Sequence, residues 1–187
     1  MLRGIIVYLA TGTDKHAGTN DPIYLGVSGS RGGREFPLDA AYFDDFERRS
    51  RIRYALGEVW EEAALAGAKR PKQAKADWND PAYFHVGFSD VDRVYLRKHC
   101  ERRRLKDDAY HLDEIEVALY GAPGHKRVFR SASAIWLGVE YGAQVQVLPG
   151  AAVAAILGED RGAAPPAAES VAAGVADREI RLGLIAG

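Results

Sequence analysis

Short runs of β-branched and aromatic residues, separated by turn signals, recur along the first 148 residues of the chain. In several of them apolar and polar residues alternate: Ile115, Val117 and Leu119 point one way, whereas Glu114 and Glu116 point the other. This pattern predicts an antiparallel sandwich of short strands. The predicted strands are Gly4–Ala10, Ile23–Ser28, Arg34–Leu38, Ser50–Leu56, Tyr83–Gly87, Arg93–Lys98, Asp113–Tyr120, Lys126–Arg130 and Ala143–Leu148.

One segment inside this pattern has the spacing of a helix instead. Trp60, Ala64 and Leu65 recur at helical intervals, and Pro71 follows as a stop signal. We therefore predict a helix over Glu58–Ala68, inserted between two strands.

The C-terminal part of the chain has a different composition from the rest. From Ala151 onwards it is rich in Ala and Gly and contains Pro165 followed by a second proline, which is typical of a linker or tail. We expect one domain over residues 1–150, with the helical insertion at about 58–76 and a tail over 151–187.

The tryptophans are expected to be packing residues, with Trp136 in the core. The alternation of the strands places Ile5, Val7, Leu25 and Val117 in the same core, between two packed sheets.

The connection between the first two strands is long and polar. It contains Gly12 and Gly18, which tolerate positive φ, together with Thr, Asn and Asp side chains. A two-residue turn would have joined the strands, so a loop of this length with hard oxygen groups favours a calcium site or a recognition surface.

The same loop, TGTDKHAGTND followed by IYLGVSG, resembles the opening of a PLAT (lipoxygenase-homology) domain. The likeness is closest to the C-terminal membrane-binding domain of bacterial phospholipase C alpha-toxins. Later stretches resemble the family in the same order and are Phe36–Asp39, Asp44–Phe46, Val94–Lys98, Asp107–Tyr110 and Leu112–Val117. The resemblance implies an all-β fold: an antiparallel, eight-stranded β-sandwich of PLAT type, here with a short helical insertion and an Ala-rich C-terminal tail.

The resemblance also implies calcium as a cofactor, at two sites. The first site would use Asp108 with the backbone carbonyls of Gly18 and Ala109. His16 stands where the toxins supply a carboxylate, and imidazole is a poor ligand for a hard cation. This departure weakens the expectation for the first site.

The second implied site would use Thr19, Asn20, Asp44 and Asp45, with Asp39 as a further candidate. Asn20 replaces a carboxylate, and the middle loop is one residue longer than in the family. The alternative is that these residues only form Asx turns and cap loops.

A basic run precedes Asp108 and contains the residues Arg102, Arg103, Arg104, Leu105 and Lys106. In the toxin-like arrangement this loop lies on the membrane-facing rim, where the toxins carry aromatic residues. Positive charge favours attraction to an anionic membrane, worth about 1 kcal/mol per Lys or Arg near the surface. An acidic protein surface is an equally suitable partner, and a solvated basic loop is the alternative.

Catalytic chemistry finds little support in the sequence. The histidines are scattered, and neither a Gly-x-Ser-x-Gly elbow nor a His-Glu-x-x-His motif occurs. Cys100 follows His99 directly, which points the two side chains to opposite faces of a strand, and a zinc site from His16 and His111 is equally unsupported. A small hydrolase is therefore the weakest of the functional hypotheses.

Composition and charge restrict the partners further. The formal net charge is −1, which does not favour nucleic acid as a partner. The sequence has no apolar run near the ~20 residues of a transmembrane helix, and no signal-peptide pattern is recognised. We expect a soluble protein, cytoplasmic or peripheral to a membrane.

The sequence thus predicts a non-catalytic binding module that docks to anionic lipid or an acidic protein surface through a loop rim, assisted by calcium. The alternative is protein–protein docking, or a subunit of a larger oligomeric assembly.

Overall fold

The structure, a computed structural model, describes residues 1–72, 76–100, 108–131 and 134–149. Within these residues nine strands form: β1 (Gly4–Thr11), β2 (Ile23–Gly29), β3 (Gly32–Pro37), β4 (Arg51–Gly57), β5 (Val91–Lys98), β6 (Tyr110–Tyr120), β7 (Lys126–Ser131), β8 (Ile135–Leu137) and β9 (Gln144–Pro149). The helical elements are α1 (Glu62–Leu65) and two 3₁₀ turns, Ala76–Asn79 and Pro81–Phe84.

The strands form two antiparallel layers that are joined at one edge. One layer has the order β3-β2-β5-β9 and the other β7-β6-β1-β4, with β8 paired to the first residues of β6. The end of β9 also pairs with β7, where Pro149 lies opposite Phe129, so a single curled sheet provides both layers. The predicted antiparallel β-sandwich is confirmed.

The core lies between the layers and is built from the inward-facing residues of each strand. Ile5, Val7 and Val117 come from one layer and Leu25 from the other, and all four are fully buried, as predicted. In the central pair, Val7 lies opposite Val117 and Leu9 opposite Ile115, so the alternation of β1 and β6 fixes their register.

The prediction of a strand at Tyr83–Gly87 was wrong. This part of the chain begins with the 3₁₀ turn Pro81–Phe84, because the Asp80 carboxylate accepts a hydrogen bond from the backbone N–H of Ala82 at 2.9 Å. Pro81 fixes φ for the first helical position. The other predicted strands are present, with ends displaced by up to three residues, and β8 was not predicted.

The prediction that Trp136 is a core residue was also wrong. In β8 the neighbouring Leu137 points into the core with 1% of its surface exposed, so Trp136 points outward and is only half-buried. Its indole stacks on the His111 imidazole with ring centroids 4.6 Å apart. Trp60 and Trp78 are each more than one-third exposed.

The insertion contains much less helix than predicted. Instead of Glu58–Ala68, only α1 is helical, because Val59 is buried beside Ile6 on the outer face of the sheet and Gly67 takes φ +69°. The chain then pairs with β4, where the backbone N–H of Lys69 donates to the Arg53 carbonyl at 2.7 Å. This pairing covers the edge of β4. The predicted tail, 151–187, lies outside the described residues, and the proposed domain boundaries stay predictions.

Candidate binding rim

Four connections of the sandwich leave from the same end: β1–β2, β3–β4, β5–β6 and β8–β9. We call this end the rim. Its described residues are 12–22, 38–50, 99–100, 108–109 and 138–143. The rim follows from the antiparallel registers, since Ile23 at the start of β2 lies opposite Lys98 at the end of β5.

Backbone hydrogen bonds join the rim loops to one another. The Thr19 N–H donates to the Phe46 carbonyl at 3.3 Å, and the Arg49 N–H donates to the Gly12 carbonyl at 3.0 Å. The loops approach closely at Gly18, where a Cβ atom would lie 3.0 Å from the Phe46 oxygen. The first and middle loops are therefore packed together, as the toxin-like arrangement requires.

A polar network holds the first loop against the entry to β6. The Thr19 hydroxyl lies 3.0 Å from both the carbonyl and the carboxylate Oδ2 of Asp108, and the Asn20 N–H donates to the same Oδ2 at 2.8 Å. The Lys98 ammonium donates to Asp21 Oδ2 at 2.6 Å, and this ion pair is buried. The Asp21 N–H in turn donates to the Thr19 hydroxyl at 3.1 Å.

A depression of about 200 Å³ lies between the first and middle loops. We call it the rim pocket, and the polar residues that line it are Thr19, Asn20, Asp21, Asp39, Asp44 and Asp45. The structure thus brings together all four residues of the second predicted calcium site, and the further candidate Asp39 with them.

Asp45 is, with Asp21, one of two buried carboxylates of the rim pocket. It accepts hydrogen bonds from the Tyr54 hydroxyl at 2.5 Å and from the Ala40 N–H at 2.7 Å. Burial raises the pKa of Asp45 above its ordinary value; the two hydrogen bonds oppose this rise, and the charges of Asp39 and Asp44 add to it. Burial also raises the pKa of Tyr54, so its hydroxyl stays protonated and donates.

The donor chemistry of the two predicted calcium sites differs. At the first site one oxygen of the Asp108 carboxylate accepts hydrogen bonds from Thr19 and Asn20, His16 is exposed to solvent, and the site stays a prediction. At the second site Asp39 and Asp44 are exposed, and their carboxylates have no hydrogen bond or ion pair with other described residues. Carboxylate and amide oxygens are suitable calcium ligands, so the donors of the second site fit.

The candidate calcium ligands of the rim pocket do not form a complete metal site. Among the described residues no group of three or more His, Cys, Asp and Glu side chains is arranged to hold a metal ion. The carboxylates of Asp21 and Asp45 serve internal hydrogen bonds, and only Asp39 and Asp44 are left to provide charge. His111, a candidate in the alternative zinc site, instead lies 2.6 Å from the Asp14 carboxylate.

A model of the PLAT/LH2 domain family matches residues 5–145. The chain belongs to this family. No curated protein matches the chain.

Several solved structures are similar to this PLAT domain. The alpha-toxin of Clostridium absonum and the alpha-toxin of Clostridium perfringens from avian strain SWCP each have a TM-score of 0.50 and 19% identity, with 78% of this chain and 31% of the toxin matched. The coral 8R-lipoxygenase has a TM-score of 0.49 and 19% identity, with 79% of this chain and 17% of the enzyme matched. The PLAT domain thus corresponds to less than one-third of each of these proteins.

The rim of this PLAT domain also carries exposed apolar side chains. Tyr42 is fully exposed and Phe43 is 41% exposed in the middle loop, whereas Val139 and Tyr141 are 63% and 59% exposed in the β8–β9 turn. Sequence reasoning missed these residues as part of the rim. The sequence feature that indicates them is the pair Tyr42–Phe43 between Asp39 and Asp44, because this stretch is too polar to be a strand and aromatic residues in a loop are often exposed.

The predicted basic loop, Arg102, Arg103, Arg104, Leu105 and Lys106, lies outside the described residues. Its described neighbours, Cys100 and Asp108, are both at the rim, since they follow β5 and precede β6. No described helix is long and apolar enough to cross a membrane.

A second, larger depression lies on the outer face of the β7-β6-β1-β4 layer. We call it the outer groove; it measures about 440 Å³ and is lined by Tyr8, Arg53, Glu61, Glu116, Tyr120 and Lys126, among others. Glu61 accepts from Lys126 at 2.6 Å and from the Tyr120 hydroxyl at 2.7 Å, and Glu116 pairs with Arg130 at 2.6 Å. The Lys126 hydrogen bond is the main cause that lowers the pKa of Glu61.

Proposed function

We propose that this PLAT domain is a non-catalytic binding module that docks onto anionic membrane surfaces through its rim, with assistance from calcium. The observation that carries the proposal is the grouping at one end of exposed aromatic residues and an acidic pocket.

The exposed apolar residues provide contact with the interfacial layer of a bilayer. Tyrosine and other amphipathic aromatics favour the headgroup region, because their rings are apolar and their polar atoms stay hydrated. Tyr42 and Phe43 on one side of the rim, and Val139 and Tyr141 on the other, present such groups in two loops. Two separate contact points orient the domain with its rim towards the membrane.

The charges of the rim select an anionic surface. Each Lys or Arg near such a surface contributes about 1 kcal/mol, and the basic run from Arg102 to Lys106 supplies four cationic side chains. The net charge of the whole chain is −1, so this attraction is local to the rim and is strongly screened by salt.

Calcium has a specific role in this proposal. Asp39 and Asp44 are exposed at the rim pocket and repel anionic headgroups. A calcium ion bound by their carboxylates cancels that repulsion, and Thr19 and Asn20 line the same pocket. Calcium takes six to eight oxygen ligands, so some of its coordination positions are left for lipid oxygens. Calcium therefore strengthens membrane binding without being required for the fold.

The test is co-sedimentation with phosphatidylcholine vesicles that contain, or lack, phosphatidylserine. The parent protein should sediment with the anionic vesicles only, more strongly with millimolar calcium than with chelator, and less at high salt. The double variant Tyr42→Ser, Phe43→Ser should lose most of the binding. The matched control is Tyr83→Ser, because Tyr83 is 56% exposed on the 3₁₀ turn beside Gly57, away from the rim.

Three outcomes would overturn the membrane proposal. The first is failure of the parent protein to sediment with anionic vesicles under any condition, and the second is binding of the Tyr42/Phe43 variant equal to that of the parent. Equal loss in the Tyr83 control would show that exposed aromatics act without regard to the rim. If the partner is instead an acidic protein, the parent should not bind vesicles. Charge reversal of Arg102, Arg103 and Arg104 should then abolish binding of that protein.

A further inference from the structure

We propose that Lys69 and Lys72, two cations of the insertion, belong to the membrane-binding surface of the rim and contact the phosphate groups of anionic lipids without the help of calcium. The inference rests on the proposed function and deepens it, because it adds a specific headgroup contact to the docking surface. We call these two residues the insertion cations.

The backbone of the insertion returns to the rim at these residues. After Lys69 has paired with β4, Pro71 forms a β-bridge with Ala40, and the Lys72 N–H donates to the Asp39 carbonyl at 2.5 Å. Asp39 and Ala40 lie in the middle loop, so main-chain contacts fix residues 69–72 against the rim. Substitution of the Lys69 and Lys72 side chains leaves those contacts in place.

A side-chain contact brings one of the two charges to an exposed aromatic ring. The Lys69 ammonium lies 4.5 Å from the centroid of the Phe43 ring. Phe43 is 41% exposed and lines the rim pocket. A cation within about 6 Å of a ring centroid is attracted to the face of the ring. The contact therefore holds a positive charge beside the same aromatic side chain that we propose to enter the membrane interface.

The insertion cations have no carboxylate partner among the residues that the structure describes. Both side chains are exposed, and neither forms an ion pair with a described residue. Lys126 in the outer groove, by contrast, is paired with Glu61 at 2.6 Å. No such pair has to be broken when Lys69 or Lys72 binds an external anion, so their charges are available to a phosphate group.

A bilayer is the source of phosphate that this arrangement fits. The Lys69 ammonium lies beside Phe43, and the neighbouring Tyr42 is fully exposed, so a cation and interfacial aromatics share one side of the rim. Basic and aromatic side chains together are typical of protein surfaces that lie in the headgroup layer. Two exposed lysines hold an isolated phosphate ion weakly, whereas a membrane presents many phosphates to both at once.

The insertion cations also determine when the rim attracts such a membrane. Asp39 and Asp44 are exposed at the rim pocket and repel anionic headgroups when no calcium is bound. Lys69 and Lys72 place two positive charges next to the same loop and offset this repulsion. Vesicle binding in the presence of a chelator should therefore depend on the insertion cations.

The experiment is co-sedimentation in chelator with vesicles of phosphatidylcholine and phosphatidylserine, at an ionic strength below the physiological value. Each lysine near an anionic surface accounts for about a fivefold change in affinity, so Lys69→Gln, Lys72→Gln should bind roughly 10- to 30-fold more weakly than the parent. Lys69→Arg, Lys72→Arg keeps both charges and should bind within about twofold of the parent. Both variants should have the Tm of the parent, because exposed charges contribute little to folding.

The matched control is Arg70→Gln, Arg93→Gln, which removes the same number of exposed positive charges. The Arg70 guanidinium points away from the rim, since it donates to the carbonyl of Gly57, the last residue of β4, at 3.4 Å. Arg93 lies opposite Ser28, near the end of β2 that is remote from the rim. Vesicle binding of this control should stay within about twofold of the parent.

Parent-like binding of Lys69→Gln, Lys72→Gln would overturn the inference, because other cations of the chain would then supply the attraction. Equal weakening of the Arg70/Arg93 control would overturn it too, since net charge and not position would be the cause. Should the double variant unfold, the single variants Lys69→Gln and Lys72→Gln, each about fivefold weaker, provide the same test.

Failure of the inference is distinguishable from failure of the proposed function. If the parent sediments with the vesicles only in calcium, or if the variants bind as the parent does, the inference fails and the proposed function stands. If the parent sediments neither in calcium nor in chelator, both fail.

Discussion

The rim pocket and the outer groove are both charged depressions, but they balance their charges differently. In the outer groove Glu61 pairs with Lys126 and Glu116 with Arg130, so these carboxylates are matched on the surface. At the rim pocket Asp21 pairs with the buried Lys98 ammonium, whereas Asp39 and Asp44 are exposed and have no ion pair with other described residues. The larger depression leaves one carboxylate, Glu114, without a described ion pair or hydrogen bond, whereas the smaller one leaves two, so pairing distinguishes them more than size does.

The largest expected effect follows from removal of the buried acid. Asp21→Asn removes the carboxylate that the buried Lys98 ammonium contacts at 2.6 Å, and loss of one partner of a buried ion pair costs about 3–5 kcal/mol. Glu116→Gln removes a carboxylate that is partly exposed in the outer groove, and it should cost at most about 1 kcal/mol. Urea unfolding of both variants measures the difference. Equal losses would show that the two depressions are built alike.

A smaller effect on stability is expected when one tyrosine hydroxyl is removed from the rim pocket or from the outer groove. Tyr54→Phe removes the donor to the buried Asp45 carboxylate and should destabilise the fold by about 1–3 kcal/mol. Tyr8→Phe removes a hydroxyl that accepts only from the exposed Arg51 guanidinium, at 3.2 Å, and should be close to neutral. The comparison is made by urea unfolding at neutral pH, and a neutral Tyr54→Phe would contradict the role given to Asp45.

The rim pocket and the outer groove should also differ in their contribution to calcium affinity. The parent should bind calcium with a Kd of roughly 0.1–1 mM, the range of weak exposed sites. Asp44→Asn should weaken this by about tenfold or more, which is about 1.4 kcal/mol. Glu114→Gln, which removes a carboxylate from the outer groove, should leave the affinity unchanged. Isothermal titration calorimetry measures both, and an effect of Glu114→Gln equal to that of Asp44→Asn would place the ion elsewhere.

The smallest effect concerns pH. Burial raises the pKa of Asp45 in the folded state above its value in the unfolded chain, near 3.9. Asp45 therefore contributes stability below the unfolded pKa, and this contribution is lost as pH rises through the raised folded value. In Asp45→Asn the free energy of unfolding should fall less than in the parent between about pH 4 and 7. Identical pH profiles in urea unfolding would contradict the raised pKa.

The buried face of a strand was predictable from the sequence where apolar and polar residues alternate over many positions. It was not predictable for a short strand. In β6 the alternation of Ile115, Val117 and Leu119 extends over enough residues to fix which face is buried. In β8, with three residues, Trp136 and Leu137 are both apolar, and only pairing with β6 decides which one points inward. Local composition thus misassigned Trp136.

The candidate site was predictable only where a motif carried it. The family resemblance pointed to Thr19, Asn20, Asp44 and Asp45, which the structure brings into one pocket. The ion pair of Lys98 with Asp21 joins residues 77 positions apart, so no local pattern reveals it. The same holds for the hydrogen bond between the Thr19 hydroxyl and Asp108, residues 89 positions apart.

The central claim is that the rim, and not the outer groove, is the binding surface. Hydrogen–deuterium exchange of the parent protein, with and without phosphatidylserine-containing vesicles in calcium, tests it most directly. The account predicts that vesicles slow exchange in residues 38–50 and 138–143, where Tyr42, Phe43, Val139 and Tyr141 lie, and leave residues 58–66 and 114–120 unchanged. Protection of the outer groove with no change at the rim would contradict it.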